Sequence, residues 1–234
     1  MSTPVNPEFS KEPVTDGLSL DEITSRIGRL YTAVVCDALD SLGFRRQAFS
    51  HRVRPISKAT QLIGTARTLD SRAVDYLPEK PYEKELEALD TLSDGDVVVL
   101  ATNGDLSAAV WGELLSVASA AKGARGAVSD GLTRDAARIG DLNFPVFAQG
   151  VCSYDSLGRS EVIAYDVRIE CDGVTVEPGD IVFCDYDGVV IIPRRALLDT
   201  LARAEYKVGR EEIVEQEFRK GRKIAEVFAE HGIL

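Results

Sequence analysis

The stretch "GDVVVLAT", Gly95 to Thr102, constrains this chain more than any other. Its apolar residues run on without alternation, so both faces must be covered, as happens in a parallel sheet flanked by helices. Gly95 at one end and Asn103–Gly104 at the other stop it at strand length. "ARGAVSD" and "FPVFAQG" are the next buried strands. A helix is expected between the first two, from about Ser107 to Lys122, with Gly123 closing it. Strand, helix and strand in this order predict parallel βαβ units with right-handed crossovers.

The flanks extend the pattern. Ser19 and Glu22 have capping-box spacing and open a helix over "LDEITSRIG". "TAVVCDALDSLG" has helical spacing of apolar residues and ends at Gly43, and "QLIGTARTL" reads as a strand. "PYEKELEALDTL" reads as a solvated helix with Pro81 in its first turn. After residue 160, "VIAYDVRIE", "GVTVEP", "DIVFCDYD" and "GVVIIP" are short strands between tight turns, which predicts antiparallel pairing. From Arg195 to about Glu230, charged residues and apolar ones at i, i+3 and i+4 predict a long amphipathic helix or two. Residues 1–17 read as a polar, proline-containing tail and 18–234 as one domain, without a sequence repeat or linker.

Composition removes several functions. With a net charge of −11, the chain has no general basis for binding nucleic acid, which needs clustered Lys and Arg. No apolar run approaches the roughly 20 residues that span a bilayer, and the N-terminus has no secretory pattern, so a cytoplasmic protein is expected. Cys36, Cys152, Cys171 and Cys184 lack CxxC spacing and read as reduced thiols. The only histidines, His51 and His231, leave little for a zinc site or a Ser–His–Asp triad. No GxSxG, Walker A or GxGxxG pattern occurs. An enzyme of this composition must therefore work with carboxylates and arginine, with or without a hard metal.

Ends of parallel strands gather loops and free helix N–H groups, which makes the turns after "GDVVVLAT" and "GARGAVSD" the places to search. The second turn, "SDGLTRDAA", carries Arg134 and Asp135. Arg134 presents a donor fork for a carboxylate or a developing enolate. Asp135 presents a hard oxygen for Mg²⁺ or Mn²⁺. Glu113 lies within reach in sequence to hold a metal-bound water. On local chemistry alone, an Arg–Asp pair in a turn reads as solvated, and only the strand-end position raises it. Gly112 reads as a small residue for helix packing, and Asp185 and Asp187 as turn residues. Glu211 and Glu212 read as a solvated helix face, with a reach to a neighbouring subunit as the alternative.

Taken together these stretches, from "LYTAVVCDALDSLG" to "VEPGDIVFCDYDGVVIIPR", resemble the RraA-like family. That family includes class II pyruvate aldolases acting on 4-hydroxy-4-methyl-2-oxoglutarate and 4-carboxy-4-hydroxy-2-oxoadipate. Their motif is an acidic residue, twenty intervening residues, then Arg–Asp, and Glu113, Arg134 and Asp135 fit it. The resemblance implies an α/β fold of β/β/α type, like the swivelling phosphohistidine domains, assembled as homotrimers or homohexamers with sites between subunits. It implies Asp135 as ligand of Mg²⁺ or Mn²⁺, Arg134 as substrate contact, and the backbone of Gly112, Glu113, Leu114 and Leu115 as a cradle for the pyruvate carboxylate. Glu113 stands where the aldolases commonly have aspartate. The implied activity is retro-aldol cleavage of a 4-hydroxy-2-keto acid to pyruvate, with oxaloacetate decarboxylation as a side activity. The family's other branch implies an alternative, a non-catalytic regulator that binds a ribonuclease. A menaquinone methyltransferase label used in the family finds no Gly-rich cofactor loop here.

Overall fold

The computed structural model describes residues 17–233, so the expected polar tail, Gly17 apart, lies outside the described residues. In chain order the elements are α1 (Leu20–Ile27), α2 (Thr32–Ser41), β1 (Arg54–Pro55), β2 (Leu62–Ala73), α3 (Glu83–Asp90), β3 (Asp96–Ala101), β4 (Ala109–Trp111) and α4 (Glu113–Ala121). Then follow β5 (Gly126–Ser129), β6 (Leu132–Thr133), α5 (Ala136–Ile139), β7 (Val146–Ala148), β8 (Gly150–Val151) and β9 (Ser160–Tyr165). The chain closes with β10 (Ile169–Cys171), β11 (Val174–Val176), β12 (Ile181–Asp185), β13 (Gly188–Ile192), α6 (Leu197–Arg219) and α7 (Ile224–His231).

The main sheet has the order β1-β7-β5-β3-β2-β12-β13, with β9 added on β2. Its middle, β2, β3, β5 and β7, is parallel, as the buried runs predicted. Its later strands pair antiparallel, β12 with both β2 and β13, and β10 with β11 in a separate hairpin. A bridge between Ala48 and Val190 carries the chain ahead of β1 onto β13, so the sheet curls towards closure. Strand β3 is buried along its whole length. Val97, Val99 and Ala101 enter one core with Phe147, Val182 and Ile191. Val98 and Leu100 point the other way, into a core with Leu89, Trp111 and Ile139. A third core packs α1, α2 and α6 on β12 and β13.

The β/β/α arrangement has a simple local origin. Strands β3, β5 and β7 each lead through a short turn into a second strand, β4, β6 and β8. Those three pair in parallel in a sheet of their own, in the order β4-β6-β8. This second layer is where the expectation failed. The helix expected from Ser107 begins only at Glu113, because Ala109, Val110 and Trp111 are buried as a strand. Pairing with β6 and burial in the core override the helical preference of the alanines. "VIAYDVRIE" likewise divides into β9 and β10, around Asp166 at φ 52°. The expected caps hold elsewhere. Ser19 and Glu22 make the reciprocal capping box, and Gly43 and Gly123 take positive φ after α2 and α4.

Candidate active site

The twenty-residue spacing between Glu113 and Arg134 has a structural meaning: it is the length of one crossover. Gly112 follows β4, and Arg134 follows β6. Between them the chain runs through α4, β5 and β6 and returns to the same end of the second sheet. Trp111 is in register with Thr133, and the Arg134 N–H donates to the Trp111 carbonyl at 2.9 Å. Parallel pairing therefore sets Arg134 and Asp135 beside Gly112 and Glu113.

Gly112 is extended, at φ −165° and ψ −175°, a conformation open to any residue. Space demands the glycine. A Cβ there would stand 2.9 Å from Asp135 Oδ2 and 3.3 Å from Arg134 Cγ. The expected helix-packing role is thus replaced by close approach to two side chains. Behind it, the Trp111 indole donates to Ser116 Oγ at 2.8 Å, and the Ser116 hydroxyl donates to the Gly112 carbonyl at 2.9 Å. The backbone of the loop is held by a buried pair.

Asp135 lies at the N-cap position of α5 with φ 59° but makes no side-chain cap there. Its Oδ2 turns to α4 and accepts from the Glu113 N–H at 3.3 Å. Gly112 supplies no side-chain cap and Asp135 meets only the Glu113 N–H, which leaves the N–H groups of Leu114 and Leu115 at a helix N-terminus, a favourable setting for an anion. The side chain of Leu114 is 77% exposed, whereas Leu115 packs partly into the core. What this segment offers the site is therefore backbone.

Arg134 Nη1 lies 3.3 Å from Asp155 Oδ1, and its Nε lies 3.7 Å from Asp135 Oδ2. Both separations exceed the ~2.7–2.9 Å of a charge-assisted hydrogen bond, so the carboxylates orient the fork without consuming its donors. Arg138 Nη1 reaches both oxygens of Glu113 at 3.3 Å. Among the described residues, no group of three or more His, Cys, Asp or Glu is arranged to hold a metal ion.

Sequence reasoning missed Asp155, Tyr82 and Arg138. Arg138 carried a signal, one helical turn after Arg134 in "RDAAR". Tyr82 and Asp155 carried none, because their meeting depends on α3 packing against β9. The Tyr82 hydroxyl donates to Asp155 Oδ2 at 3.0 Å. Burial, then the bond to Asp155, raises the Tyr82 pKa. The expected solvated helix there is half wrong. Glu85 on α3 is only 6% exposed, and burial, with Asp155 nearby, pushes its carboxyl up to about 7.

The remaining candidates sit in structural work. Asp185 accepts from the Thr32 N–H at 2.8 Å and the Thr32 hydroxyl at 2.7 Å, capping α2, and from the Asp187 N–H at 2.8 Å. The Asp187 carbonyl accepts from Arg54. Glu211 accepts from the Tyr31 hydroxyl and lies 3.6 Å from Lys207, which ties α6 to the start of α2. Burial and that bond push the Tyr31 hydroxyl up to about 12. Glu212 is exposed on α6. The structure brings neither glutamate to Arg134 of its own chain.

A β/β/α layered fold with an Arg–Asp pair set against an extended glycine and an uncapped helix defines a class, and sequence comparison reaches the same one. The RraA-like family model, described as Aldolase/RraA, matches residues 32–191, and this chain belongs to that family. A protein of Halalkalibacterium halodurans named "Putative 4-hydroxy-4-methyl-2-oxoglutarate aldolase" is 31% identical over 79% of this chain and 83% of its own length. Protein DlpA of Legionella pneumophila is 29% identical over 82% of this chain, which spans only 31% of that protein's length. Among solved structures, RraAS2 of Streptomyces coelicolor, described as an unusual member of the RNase ES inhibitor RraA protein family, superposes with a TM-score of 0.74. It is 29% identical, over 83% of this chain and 96% of its own. No helix of the described residues is long and apolar enough to cross a membrane.

Proposed function

We propose that this chain is a divalent-metal-dependent lyase that cleaves a 4-hydroxy-2-keto acid to pyruvate, with oxaloacetate decarboxylation as a side activity. The observation that carries this reading is the position of Gly112. Its missing Cβ leaves room at Asp135 Oδ2 beside the Arg134 fork, on the open N-terminus of α4. Relatives bearing an aldolase name support it.

The residues fit a hydrated hard cation. Asp135 supplies one carboxylate, and Mg²⁺ or Mn²⁺ commonly keeps water on most of its positions in such a site. When bound, the ion would act as a Lewis acid on the 2-keto acid. Asp135 would hold it. The N–H groups of Leu114 and Leu115 would bind the substrate carboxylate, and Arg134 would stabilise the enolate oxygen as the C3–C4 bond breaks. Glu113, working through a water, would take the proton of the 4-hydroxyl. C4 would leave as a carbonyl compound, the electrons of the broken bond would pass into the enolate, and the proton taken from the 4-hydroxyl, returned to C3, would give pyruvate. Arg138, 3.3 Å from both Glu113 oxygens, would keep that carboxylate ionised.

We assign the site to an interface between copies of this chain, in a homotrimer or homohexamer. Leu114, Val151 and Tyr154, on segments at or next to the site, are 77%, 58% and 63% exposed, an apolar rim that a second copy would cover. A neighbour's Glu211 or Glu212 would then be a further proton carrier. Light scattering on the purified chain tests the assembly, and a monomeric mass contradicts it.

Purified protein with Mg²⁺ or Mn²⁺ should release pyruvate from oxaloacetate and 4-hydroxy-2-keto acids above the metal-only rate, followed by coupling to lactate dehydrogenase. Chelation and Asp135→Ala should both abolish it. No release from any of these substrates sinks the reading. The likeness to RraAS2 supports a second one, a ribonuclease-binding regulator. Ribonuclease capture that is unchanged by Asp135→Ala, in protein without turnover, favours it.

A further inference from the structure

The environment of Arg134 extends beyond the aldolase motif. Asp155 divides its two oxygens between two partners: Oδ1 faces Arg134 Nη1 at 3.3 Å, and Oδ2 accepts from the Tyr82 hydroxyl at 3.0 Å. Tyr82 leads into α3 with φ 63°, a left-handed conformation uncommon for an aromatic residue. Asp135, on the other side of Arg134, takes the same conformation at φ 59°. The segment holding Asp155 is itself anchored. Ala109, the first residue of β4, receives it in a parallel bridge, and the Ala109 N–H donates to the Tyr154 carbonyl at 3.0 Å. Arg159 donates to the Asp155 carbonyl at 3.2 Å and lies 4.9 Å over the Tyr154 ring.

One turn along α3, Glu85 closes the arrangement from behind. It lines a small cavity with Tyr82, Ser156, Gly158, Ser160 and Glu161. The other ionisable groups lining this cavity are the Tyr82 phenol and Glu161 on β9, which accepts from the Tyr76 hydroxyl at 2.7 Å, and Asp155 lies near enough to add to the rise in the Glu85 pKa. No described Lys or Arg pairs with Glu85, whereas Asp155 has a cation and a phenol.

We propose that Tyr82 and Asp155 are positioning residues for Arg134, Tyr82 fixing the Asp155 carboxylate and Asp155 fixing the angle of the guanidinium fork. This inference rests on the lyase reading for its effect on turnover, but the clamp itself is a property of the chain. Holding a flexible arginine in its binding geometry before substrate arrives reduces the ordering required on binding. The clamp is supplied by the segment between β2 and β3 and by the loop before β9, outside the acidic–Arg–Asp motif.

The test uses Tyr82→Phe and Asp155→Asn in the full chain. The first readout is the Arg134 Nε–H signal by NMR, with the single tryptophan, Trp111, as the fold control through its indole N–H. Both variants should broaden or shift the Arg134 signal towards that of a solvated arginine and leave Trp111 in place. In metal-loaded protein, both should raise KM for oxaloacetate about two- to tenfold, the cost of ordering one long side chain on binding instead of before it, with a smaller change in kcat. Asp155→Asn should also lower the pH at which Glu85 titrates, because its nearest negative charge is gone. Wild-type Arg134 signal in both variants overturns the proposal, whatever the activity. A displaced Arg134 signal in protein without turnover retains the clamp and rejects the lyase reading instead. Displacement of Trp111 in Asp155→Asn alone identifies a folding defect, and Tyr82→Phe, which keeps the ring, then decides.

Discussion

Asp135 and Asp185 both stand at helix N-termini, and they use them in opposite ways. Asp185, at the end of β12, gives both oxygens to Thr32 and so closes the N-terminus of α2. Its carboxylate is consumed by the fold. Asp135 occupies the cap position of its own short helix but leaves it uncapped. Its one hydrogen bond to a described donor is the 3.3 Å contact with the Glu113 N–H. An aspartate with its lone pairs filled by backbone stabilises a fold; one turned towards an arginine, over a glycine, is available for chemistry. The side of the molecule formed by α2, β12 and β13 is accordingly closed, while the ends of β4 and β6 are open.

Exchanging the two losses is the strongest way to break this contrast. Asp135→Asn, which keeps a side chain that tolerates φ 59°, should reduce pyruvate release by at least about 100-fold, the scale of losing a preorganised electrostatic contact, and leave the melting temperature nearly unchanged. Asp185→Ala should do the reverse. It should lower stability by about 1–2 kcal/mol through the lost cap, seen as a melting temperature lower by several degrees, with near wild-type turnover in the cold. Equal effects of both substitutions on turnover, measured side by side, would remove the distinction.

Glu85 sharpens the comparison from the side of stability. The folded pKa, about 7, lies above the ordinary value of 4.5, so between those two values the folded state holds more protons at this position than the unfolded state. This group's contribution to stability therefore falls as pH rises across that window and is level above it. Glu85→Gln should escape that fall. Its stability relative to wild type should grow by ~3 kcal/mol from pH 4.5 to above 7, read from urea midpoints at each pH. A relative stability that stays flat with pH would show that Glu85 is solvated in solution.

Gly112→Ala tests whether space at Asp135 is what the loop preserves. The backbone accepts alanine, since φ is −165°, but the new methyl would stand 2.9 Å from Asp135 Oδ2. Moving that carboxylate should lower turnover about 10- to 100-fold with little change in melting temperature. Turnover at the wild-type level would return Gly112 to a packing role.

How much of this was legible follows from range. The run at Val97–Leu100 announced a strand covered on both faces, and Ser19 with Glu22 announced a cap, because each signal lies within one element. The strand at Ala109–Trp111 was hidden, since its three residues become a strand only by pairing with β6, after the whole of α4. Arg134 and Asp135 were legible as residues and as a family motif, but their partner Asp155 was not. It comes from a loop whose place is fixed by bridging Ala109, a contact that no local pattern encodes. Glu85 was hidden for the same reason, because a charged residue in "YEKELEALD" reads as solvent-facing until β9 covers it.

The smallest effect concerns the length of Glu113. Its carboxylate meets Arg138 at 3.3 Å, but Arg138 is largely exposed, so that pair contributes little to stability. Glu113→Asp removes one methylene and leaves the charge at the first position of α4, where an acidic residue suits the helix dipole. A water can span the shortened distance, since a bridged hydrogen bond is nearly as favourable as a direct one. The expected fall in kcat is therefore about two- to fivefold, with KM unchanged. A fall as deep as that of Asp135→Asn would place the Glu113 carboxylate directly on the reacting atoms, with no water between. That result would make the open side of the molecule depend on two acids held to equal precision.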